Sequence, residues 1–212
     1  MLLVMTKTRL VIVRHAQSES NEARFFAAAT NVNLTTLGRR QAEKTAEFLT
    51  DYVFDRAYTS PMVRVLQTAK PILAGRDLIP EYNDGLREIN GGMWEGLPYS
   101  EIAEKYPDER ELWYHHFGDC VCTGGDSVCE VDLRVRKTFL KIINDNPGKT
   151  VLVTTHATPI RLITNFFLGR TLRAIDDIPW AGNASVTVVD CYENGTYKMI
   201  LEAYDQHLAE LQ

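Results

Sequence analysis

The chain has 212 residues, 45% of them hydrophobic and 24% charged, with a formal net charge of -5 at pH 7 and a pI of about 5.6. This balance argues against the basic surface of a nucleic-acid-binding protein, and no apolar run approaches the roughly 18 residues that a membrane span needs. We therefore expect a globular protein that binds neither nucleic acid nor membrane, with a single domain over residues 1–212.

The amino terminus reads MLLVMTK. Its apolar part is shorter than the core of a secretory signal, and no cation precedes it, so we expect a cytoplasmic protein. Met5 is an alternative start. The sequence leaves the formation of a homo-oligomer open.

Two apolar runs of β-forming residues are each followed by a histidine. Residues 10–13 precede Arg14 and His15, and residues 150–155 precede His156. Continuous runs of this kind are typical of strands that are buried on both faces of a sheet.

Helical patterns separate these runs. Residues 37–49 repeat apolar side chains at helical spacing, and residues 127–130 have the spacing of a capping box ahead of a long apolar stripe. A Ser-Pro pair at residues 60–61 and a Thr-Pro pair at residues 158–159 each combine a capping residue with a proline. They predict two further helix starts directly after strands.

The carboxyl-terminal part has a hairpin pattern. Residues 185–190 and 197–203 are predicted strands, and Asn194-Gly195 between them is a strong hairpin signal. Strands that alternate with helices indicate a three-layer α/β/α sandwich. Its central sheet would be mostly parallel, with this hairpin as an antiparallel edge.

Residues 89–126 break the alternation with irregularly spaced glycine, proline and aromatic residues. We interpret them as a cap-like insertion over one end of the sheet. Trp94 and Trp113 either line a substrate pocket there or form the insertion's own small core, and the sequence leaves both alternatives open.

The insertion also brings Cys120 and Cys122 close to His115 and His116, with Cys129 just beyond. Cysteine and histidine are good zinc ligands, but this spacing matches no common zinc motif. We expect reduced, partly buried thiols here, and neither a metal nor a cofactor in the protein.

Ligands of open α/β sheets bind beyond the carboxyl ends of the strands, so Arg14, His15 and His156 are expected at one crevice. The two helix starts that follow strands should face the same side, and helix amino termini suit a phosphate. Arg64 lies in the first turn of one of these helices. Two arginines, two histidines and helix ends make an anion site that contains a nucleophile.

Five patterns in chain order resemble the histidine phosphatase superfamily, also called the phosphoglycerate mutase-like family. They are Arg14-His15-Ala16 with Asn21; Leu34-Thr35 with Gly38 and Gln41-Ala42; Ser60 with Arg64 and Thr68-Ala69; Leu86-Arg87-Glu88 with Trp94-Glu95-Gly96-Leu97; and Thr155-His156-Ala157 with Ile160-Arg161. Each pattern is weak alone, whereas the five in this order are specific.

The resemblance implies a metal-independent phosphatase that acts on a small-molecule phosphomonoester. His15 would attack phosphorus and carry the phosphoryl group as a phosphohistidine. The phosphate oxygens would be surrounded by Arg14, Arg64 and His156. Glu88 would protonate the leaving oxygen and then take a proton from water.

Asn21 and Ala157 are implied to bind substrate. Ala16 and Ala157 stand where the family usually has a glycine after each histidine. Because alanine adds only a methyl group, we expect both loops to keep their shape.

The chemistry fits these roles. A histidine nucleophile must be unprotonated, and nearby arginines lower its pKa. The same arginines and a charged His156 would offset the charge on the transferring oxygens, so no metal is required. Two alternatives to Glu88 as the proton donor stay open. Glu88 could form only a surface ion pair with Arg87, or Glu95 could be the proton donor.

Two other functions stay open, namely phosphoglycerate mutase-type transfer between substrate hydroxyls and phosphate binding without catalysis. The latter is disfavoured because every catalytic position is filled. Mutases of the family carry an arginine-rich stretch after the glutamate, whereas residues 99–126 contain only Lys105 and Arg110 as cations apart from histidines. Water is therefore the expected acceptor. The aromatic insertion favours a larger or partly apolar leaving group, such as a nucleoside-like or sugar phosphate.

Overall fold

The computed structural model describes residues 6–211. Met5 and the rest of the amino-terminal apolar segment lie outside the described residues. The strands are β1 (Lys7–Arg14), β2 (Arg56–Thr59), β3 (Glu81–Tyr82), β4 (Thr150–Thr155), β5 (Val186–Tyr192) and β6 (Tyr197–Tyr204). The α-helices are α1 (Glu19–Ala23), α2 (Thr36–Phe48), α3 (Val63–Leu73), α4 (Tyr99–Lys105), α5 (Pro107–His115), α6 (Val128–Asp145) and α7 (Ala157–Phe167).

The strands form one mixed sheet in the order β3-β2-β4-β1-β5-β6. Neighbours from β3 to β1 are parallel, whereas β5 pairs antiparallel with both β1 and β6. The turn between β5 and β6 contains Gly195 at a φ of 79°, a conformation that glycine adopts readily. The predicted α/β class, the mostly parallel sheet and the antiparallel terminal hairpin are confirmed.

The sheet is covered on both faces. Leu10 and Ile12 of β1 belong to a core that includes the apolar side of α6 and α7, whereas Val11 and Val13 belong to a second core that includes residues of α2 and α3. All four side chains are completely buried. This explains why the strand reads as a continuous apolar run and not as an alternating one.

The two predicted proline-linked helix starts are displaced. Helix α3 begins at Val63 with Met62 as its cap, and helix α7 begins at Ala157 with His156 as its cap. The hydroxyl of Ser60 is hydrogen-bonded to a histidine ring instead of capping a helix. By contrast, the capping box of α6 forms as predicted, with Ser127 and Glu130 bonding each other's backbone N–H.

The irregular segment from 89 to 126 contains more helix than its composition indicates. It holds α4, α5 and two short 3-10 helices, at Gly92–Trp94 and Phe117–Asp119. Helix α5 has no buried residue, and its sequence accordingly lacks a clear apolar stripe at helical spacing. None of the helices within residues 6–211 is long and apolar enough to cross a membrane.

Candidate active site

A cavity of about 310 Å³ opens at the carboxyl ends of β1 and β4. The parallel register places Arg14 opposite Thr155, so the residues that follow each strand are neighbours. The backbone N–H of His15 donates to the carbonyl oxygen of Thr155 at 2.9 Å. Six residues with expected roles line the cavity, namely Arg14, His15, Asn21, Arg64, Glu88 and Ala157.

The imidazole of His15 is held in one tautomer. Its Nδ1 lies 2.8 Å from the carbonyl oxygen of Ala16, and since a carbonyl only accepts, Nδ1 carries the proton. The lone pair of the neutral ring is therefore on Nε2. Burial, followed by the charges of Arg64 and Arg14, holds the pKa of His15 well below its usual value. The ring is thus neutral at neutral pH, which is the state that a histidine nucleophile requires.

Arg14 and Arg64 are the two arginines whose charges act on His15. Nη1 of Arg14 donates to the carbonyl oxygen of Ala181 at 2.5 Å, while its buried Nε has no partner among the described residues. Arg64 is 1% exposed, and burial lowers its pKa to about 10, so it is still a cation at neutral pH. Neither arginine has a carboxylate partner within ion-pair distance in the described part of the chain, which leaves both charges for an anionic ligand.

His156 lies behind these groups and not on the cavity wall. Its Nδ1 accepts from Nη2 of Arg64 at 3.2 Å, and its Nε2 therefore donates to the hydroxyl of Ser60 at 2.8 Å. Complete burial, followed by the charges of Arg64 and then of neighbouring groups, keeps the pKa of His156 well below its usual value. The expectation of a charged His156 is wrong for this arrangement, because the arginine that it contacts is already the cation.

Glu88 faces the cavity. Its Oε1 accepts from the N–H of Ile89 at 3.0 Å, and its Oε2 accepts from the N–H of Thr158 at the start of α7 at 3.3 Å. The alternative ion pair with Arg87 does not form, since Nε of Arg87 donates to Asp84 at 2.5 Å. The carboxylate is therefore tied to the amino-terminal end of α7, directly after His156.

Asn21 presents a free amide to the cavity. Its Oδ1 accepts from the N–H and hydroxyl of Ser18 and from Nδ2 of Asn183, at 2.9 to 3.1 Å. Its Nδ2 has no partner among residues 6–211, so it is a donor that a phosphate or substrate oxygen can use. Asn183 also donates to the carbonyl oxygen of His15 at 3.1 Å, which ties the two loops together.

The alanines that replace glycine carry no backbone strain. Among the described residues, the non-glycine positions with positive φ are Arg24, Ala184 and Ala203. Ala16 and Ala157 are not among them, in agreement with the expectation that both loops keep their shape. The N–H of Ala16 donates to the hydroxyl of Thr68 at 3.0 Å.

The far wall of the cavity is aromatic. Trp94 is 2% exposed and belongs both to the core and to the lining of the cavity. Core packing and pocket lining, the two alternatives left open by the sequence, therefore both apply to this residue. Trp113 packs edge-on against Phe26 and stacks on Trp180, with the latter centroids 5.9 Å apart. The cavity is therefore largely apolar on this side.

The two insertion cations have different surroundings. Lys105 is paired with Glu101 at 2.6 Å, whereas Arg110 lines the cavity with its guanidinium carbon 5.1 Å from the ring centroid of Tyr114. A single insertion cation therefore reaches the site.

The cysteines of the cysteine-histidine cluster considered as a zinc candidate are free thiols. Cys120 and Cys122 are buried and Cys129 is exposed, all as free thiols. Within residues 6–211 no group of three or more histidine, cysteine, aspartate or glutamate side chains is placed to hold a metal ion.

Three residues that contact the site were not foreseen in these roles. Ser60 orients His156, Asn183 orients Asn21, and Arg134 donates to the carbonyl oxygens of Asp84, Gly85, Arg87 and Glu88. Ser60 belongs to one of the five sequence patterns, and this could have marked it as a residue of the site. No sequence pattern marked Asn183 or Arg134, because their contacts join segments that are distant in sequence.

Comparison with known proteins agrees with this geometry. The family model of the histidine phosphatase superfamily (branch 1) matches residues 10–202. Phosphoserine phosphatase 1 of Hydrogenobacter thermophilus is 30% identical over 188 residues, covering 87% of this chain and 87% of that protein. A 2,3-bisphosphoglycerate-dependent phosphoglycerate mutase of Cytophaga hutchinsonii is 33% identical over 158 residues, covering 73% of this chain and 74% of that protein.

Solved structures extend the likeness to the whole fold. Bacillus stearothermophilus YhfR superposes with a TM-score of 0.89 at 28% identity, covering 95% of this chain and 99% of that chain. The relatives named here include both a phosphatase and a mutase. The chain belongs to the histidine phosphatase superfamily.

Proposed function

We propose that this protein is a metal-independent phosphatase that hydrolyses a small-molecule phosphomonoester through a phosphohistidine on His15. The observation that carries the proposal is the state of His15, whose Nδ1–H is bonded to a carbonyl oxygen and whose pKa is lowered by burial and two arginines. These features leave Nε2 with a lone pair in a cavity lined by cations.

In the first step, Nε2 of His15 attacks phosphorus and the bond between phosphorus and the leaving oxygen breaks. Glu88 in its acid form gives its proton to that oxygen, so the leaving group departs as a neutral alcohol. The guanidinium groups of Arg14 and Arg64 stabilise the charge on the three remaining oxygens, which is the work that a metal does in other phosphatases.

In the second step, the carboxylate of Glu88 takes a proton from water as the water oxygen attacks phosphorus. The bond between phosphorus and Nε2 breaks, and its electron pair returns to His15. Inorganic phosphate leaves, and Glu88 is again in its acid form. The net reaction consumes one ester and one water and releases one alcohol and one phosphate.

The wall opposite the phosphate-binding groups supports water as the acceptor. A mutase must hold its second substrate group in place, and Arg110 is the insertion cation available for that. Trp94, Trp113 and Trp180 instead offer apolar surface to a leaving group. We therefore propose a partly apolar ester, of the nucleoside-like or sugar phosphate class, as substrate.

The proposal takes residues 1–212 as one domain with residues 89–126 as its cap, acting in the cytoplasm. The lining of the cavity by Trp94, Tyr99 and Trp113 supports the role of a cap. A phosphoglycerate mutase remains the second candidate, because a mutase is among the relatives.

The test is phosphate release from a panel of phosphomonoesters in the presence of EDTA. We expect activity in the wild type, its loss in His15→Ala, and its retention in the control His116→Ala, an exposed histidine outside the cavity. An alkaline quench should trap phosphohistidine, whereas an acid quench should not. Full activity of His15→Ala with EDTA present would exclude the mechanism.

The mutase alternative is tested in the same assay with 3- and 2-phosphoglycerate. Fast exchange between them with little phosphate release would favour the mutase. Release of phosphate without exchange supports hydrolysis.

A further inference from the structure

One carboxylate outside the cavity has an unusually complete set of hydrogen bonds. Glu95 accepts from the backbone N–H groups of Ala28, Ala29 and Thr30, at 2.9 to 3.2 Å, and from the hydroxyl of Thr30 at 2.8 Å. The N–H of Gly91 also reaches Oε1 at 3.3 Å. Five donors converge on two oxygens, and hydrogen bonds to an ionised acceptor are the strong ones.

The opposite side of the same loop faces an arginine of the active site. The carbonyl oxygen of Ala28 accepts from Nη2 of Arg64 at 3.0 Å, and that of Thr30 accepts from Nη1 at 3.1 Å. The peptide group between Ala28 and Ala29 therefore bridges the two side chains, since its N–H donates to Glu95 and its C=O accepts from Arg64. Such chains of hydrogen bonds polarise one another.

We propose that Glu95 is a positioning residue for Arg64, acting through the backbone of residues 28–30 to hold the guanidinium where it binds the substrate phosphate. The proposal rests on the proposed function only for the identity of the anion.

The indirect connection has a chemical advantage. A buried cation needs a compensating charge nearby. A carboxylate bonded directly to Arg64 would compete with the phosphate for its N–H groups. Glu95 supplies negative charge one peptide group away. Burial lowers the pKa of Arg64, and the charges of Glu88 and then of Glu95 act in the opposite direction. The guanidinium is thus kept charged and oriented without being neutralised.

The same contacts argue against Glu95 as the proton donor. Five donors engage its two oxygens, whereas those of Glu88 accept one N–H each, and it does not line the cavity. Glu88 does line it. The two glutamates of this segment therefore have separate tasks.

The loop is also fixed to the rest of the insertion. Phe26 donates its N–H to the carbonyl oxygen of Leu97 at 2.9 Å, and Gly96 donates to the carbonyl oxygen of Phe26 at 2.8 Å. Glu95 thus lies in a segment that is already docked on the chain ahead of residues 28–30. Its carboxylate adds the contacts that orient the peptide groups toward Arg64.

The experiment is a double-mutant cycle on the binding of inorganic phosphate, measured by titration calorimetry at pH 7 with the full chain. Glu95→Gln replaces one acceptor oxygen by an amide that faces N–H donors. We expect the affinity for phosphate to fall by about tenfold, the effect of one lost charge-assisted hydrogen bond. In the Arg64→Ala background, the same change should have little further effect.

Equal losses of affinity in both backgrounds, or no loss in either, would overturn the proposal. Glu130→Gln is the matched control, since Glu130 also accepts from a backbone N–H and a hydroxyl but lies away from the cavity. It should leave phosphate affinity unchanged. If Glu95→Gln does not fold by circular dichroism, Glu95→Asp, which keeps the charge, goes through the same cycle with the same two outcomes.

Because this readout is binding, it is independent of hydrolysis. A protein that binds phosphate with the expected coupling but hydrolyses no ester would contradict the proposed function alone. An active enzyme without the coupling would contradict the role of Glu95 alone.

Discussion

The imidazole rings of His15 and His156 lie edge to face, with their centroids 5.3 Å apart. Two protonated rings at this distance would repel each other, and two arginines lie beside them. This repulsion is avoided because each ring carries a single proton. The proton is on Nδ1 in His15 and on Nε2 in His156. Both rings are therefore neutral, and the positive charge of the site resides on the arginines.

This arrangement predicts a pH dependence of stability. The pKa of both histidines is lowered by burial in the folded state, while the unfolded chain has the ordinary value of about 6.5. Below that pH the unfolded state binds more protons than the folded state. The free energy of unfolding should therefore fall, by up to about 1.4 kcal/mol per pH unit for each histidine.

The measurement is urea unfolding between pH 8 and pH 5. His156→Asn should flatten the decline, whereas His116→Asn, at an exposed position, should not. A decline that is equally steep in wild type and His156→Asn would contradict the neutral state of His156.

Ser60→Ala should destabilise the protein and distort the site. The hydroxyl of Ser60 is the acceptor for the Nε2–H of His156, and both groups are buried. An unsatisfied buried donor costs about 1–3 kcal/mol of folding free energy. Thermal unfolding measures the loss, with the exposed Ser100→Ala as the matched control. Equal stability of the two variants would show that this hydrogen bond does not hold the ring.

Glu88→Gln should lower activity in a way that depends on the leaving group. Glutamine cannot donate the proton that an alkoxide needs, whereas a nitrophenolate leaves without one. We expect a loss of about 10²–10⁴-fold in kcat/KM for an alkyl phosphate and a much smaller loss for p-nitrophenyl phosphate. Glu95→Gln, which acts on binding in our proposal, should affect both esters alike. Equal losses on both substrates for Glu88→Gln would remove Glu88 from the role of proton donor.

The sequence predicted the parts of this protein that depend on local pattern. The buried strands read as apolar runs, and the capping box at Ser127 forms because its donors and acceptors lie three residues apart. The cap at Ser60 failed because a tertiary contact takes its group: His156 binds the hydroxyl of Ser60. Thr158 is not a cap because α7 already begins at Ala157, with His156 at the cap position. Propensity favours a cap but does not reveal such competitors.

The site was predictable to a similar extent. The positions of Arg14, His15 and His156 follow from parallel strands that end together. The neutral state of His156 does not follow from the strand pattern, because it depends on the contact with Arg64. The link between Glu95 and Arg64 was also hidden, since it passes through the backbone of residues 28–30, which has no side-chain signature.

The last prediction concerns Trp180, an exposed aromatic residue on the cavity wall. Beneath it, the guanidinium carbon of Arg161 lies 4.3 Å from a ring centroid, and Trp113 stacks beside it. Arg161 is 5% exposed, and its Nε donates to the carbonyl oxygen of Ile178 at 2.8 Å. The ring of Trp180 is thus held in place on the cavity wall, and in our proposal it contacts the leaving group.

Trp180→Ala should therefore raise KM for 1-naphthyl phosphate by about tenfold, the order of an aromatic contact, with little change for glycerol phosphate. Steady-state kinetics on both esters measure the difference. Tyr82→Ala removes another exposed aromatic ring, from β3 and away from the cavity, and should change neither KM. If Trp180→Ala raises KM for both esters equally, the aromatic wall holds the cap together and does not select the leaving group.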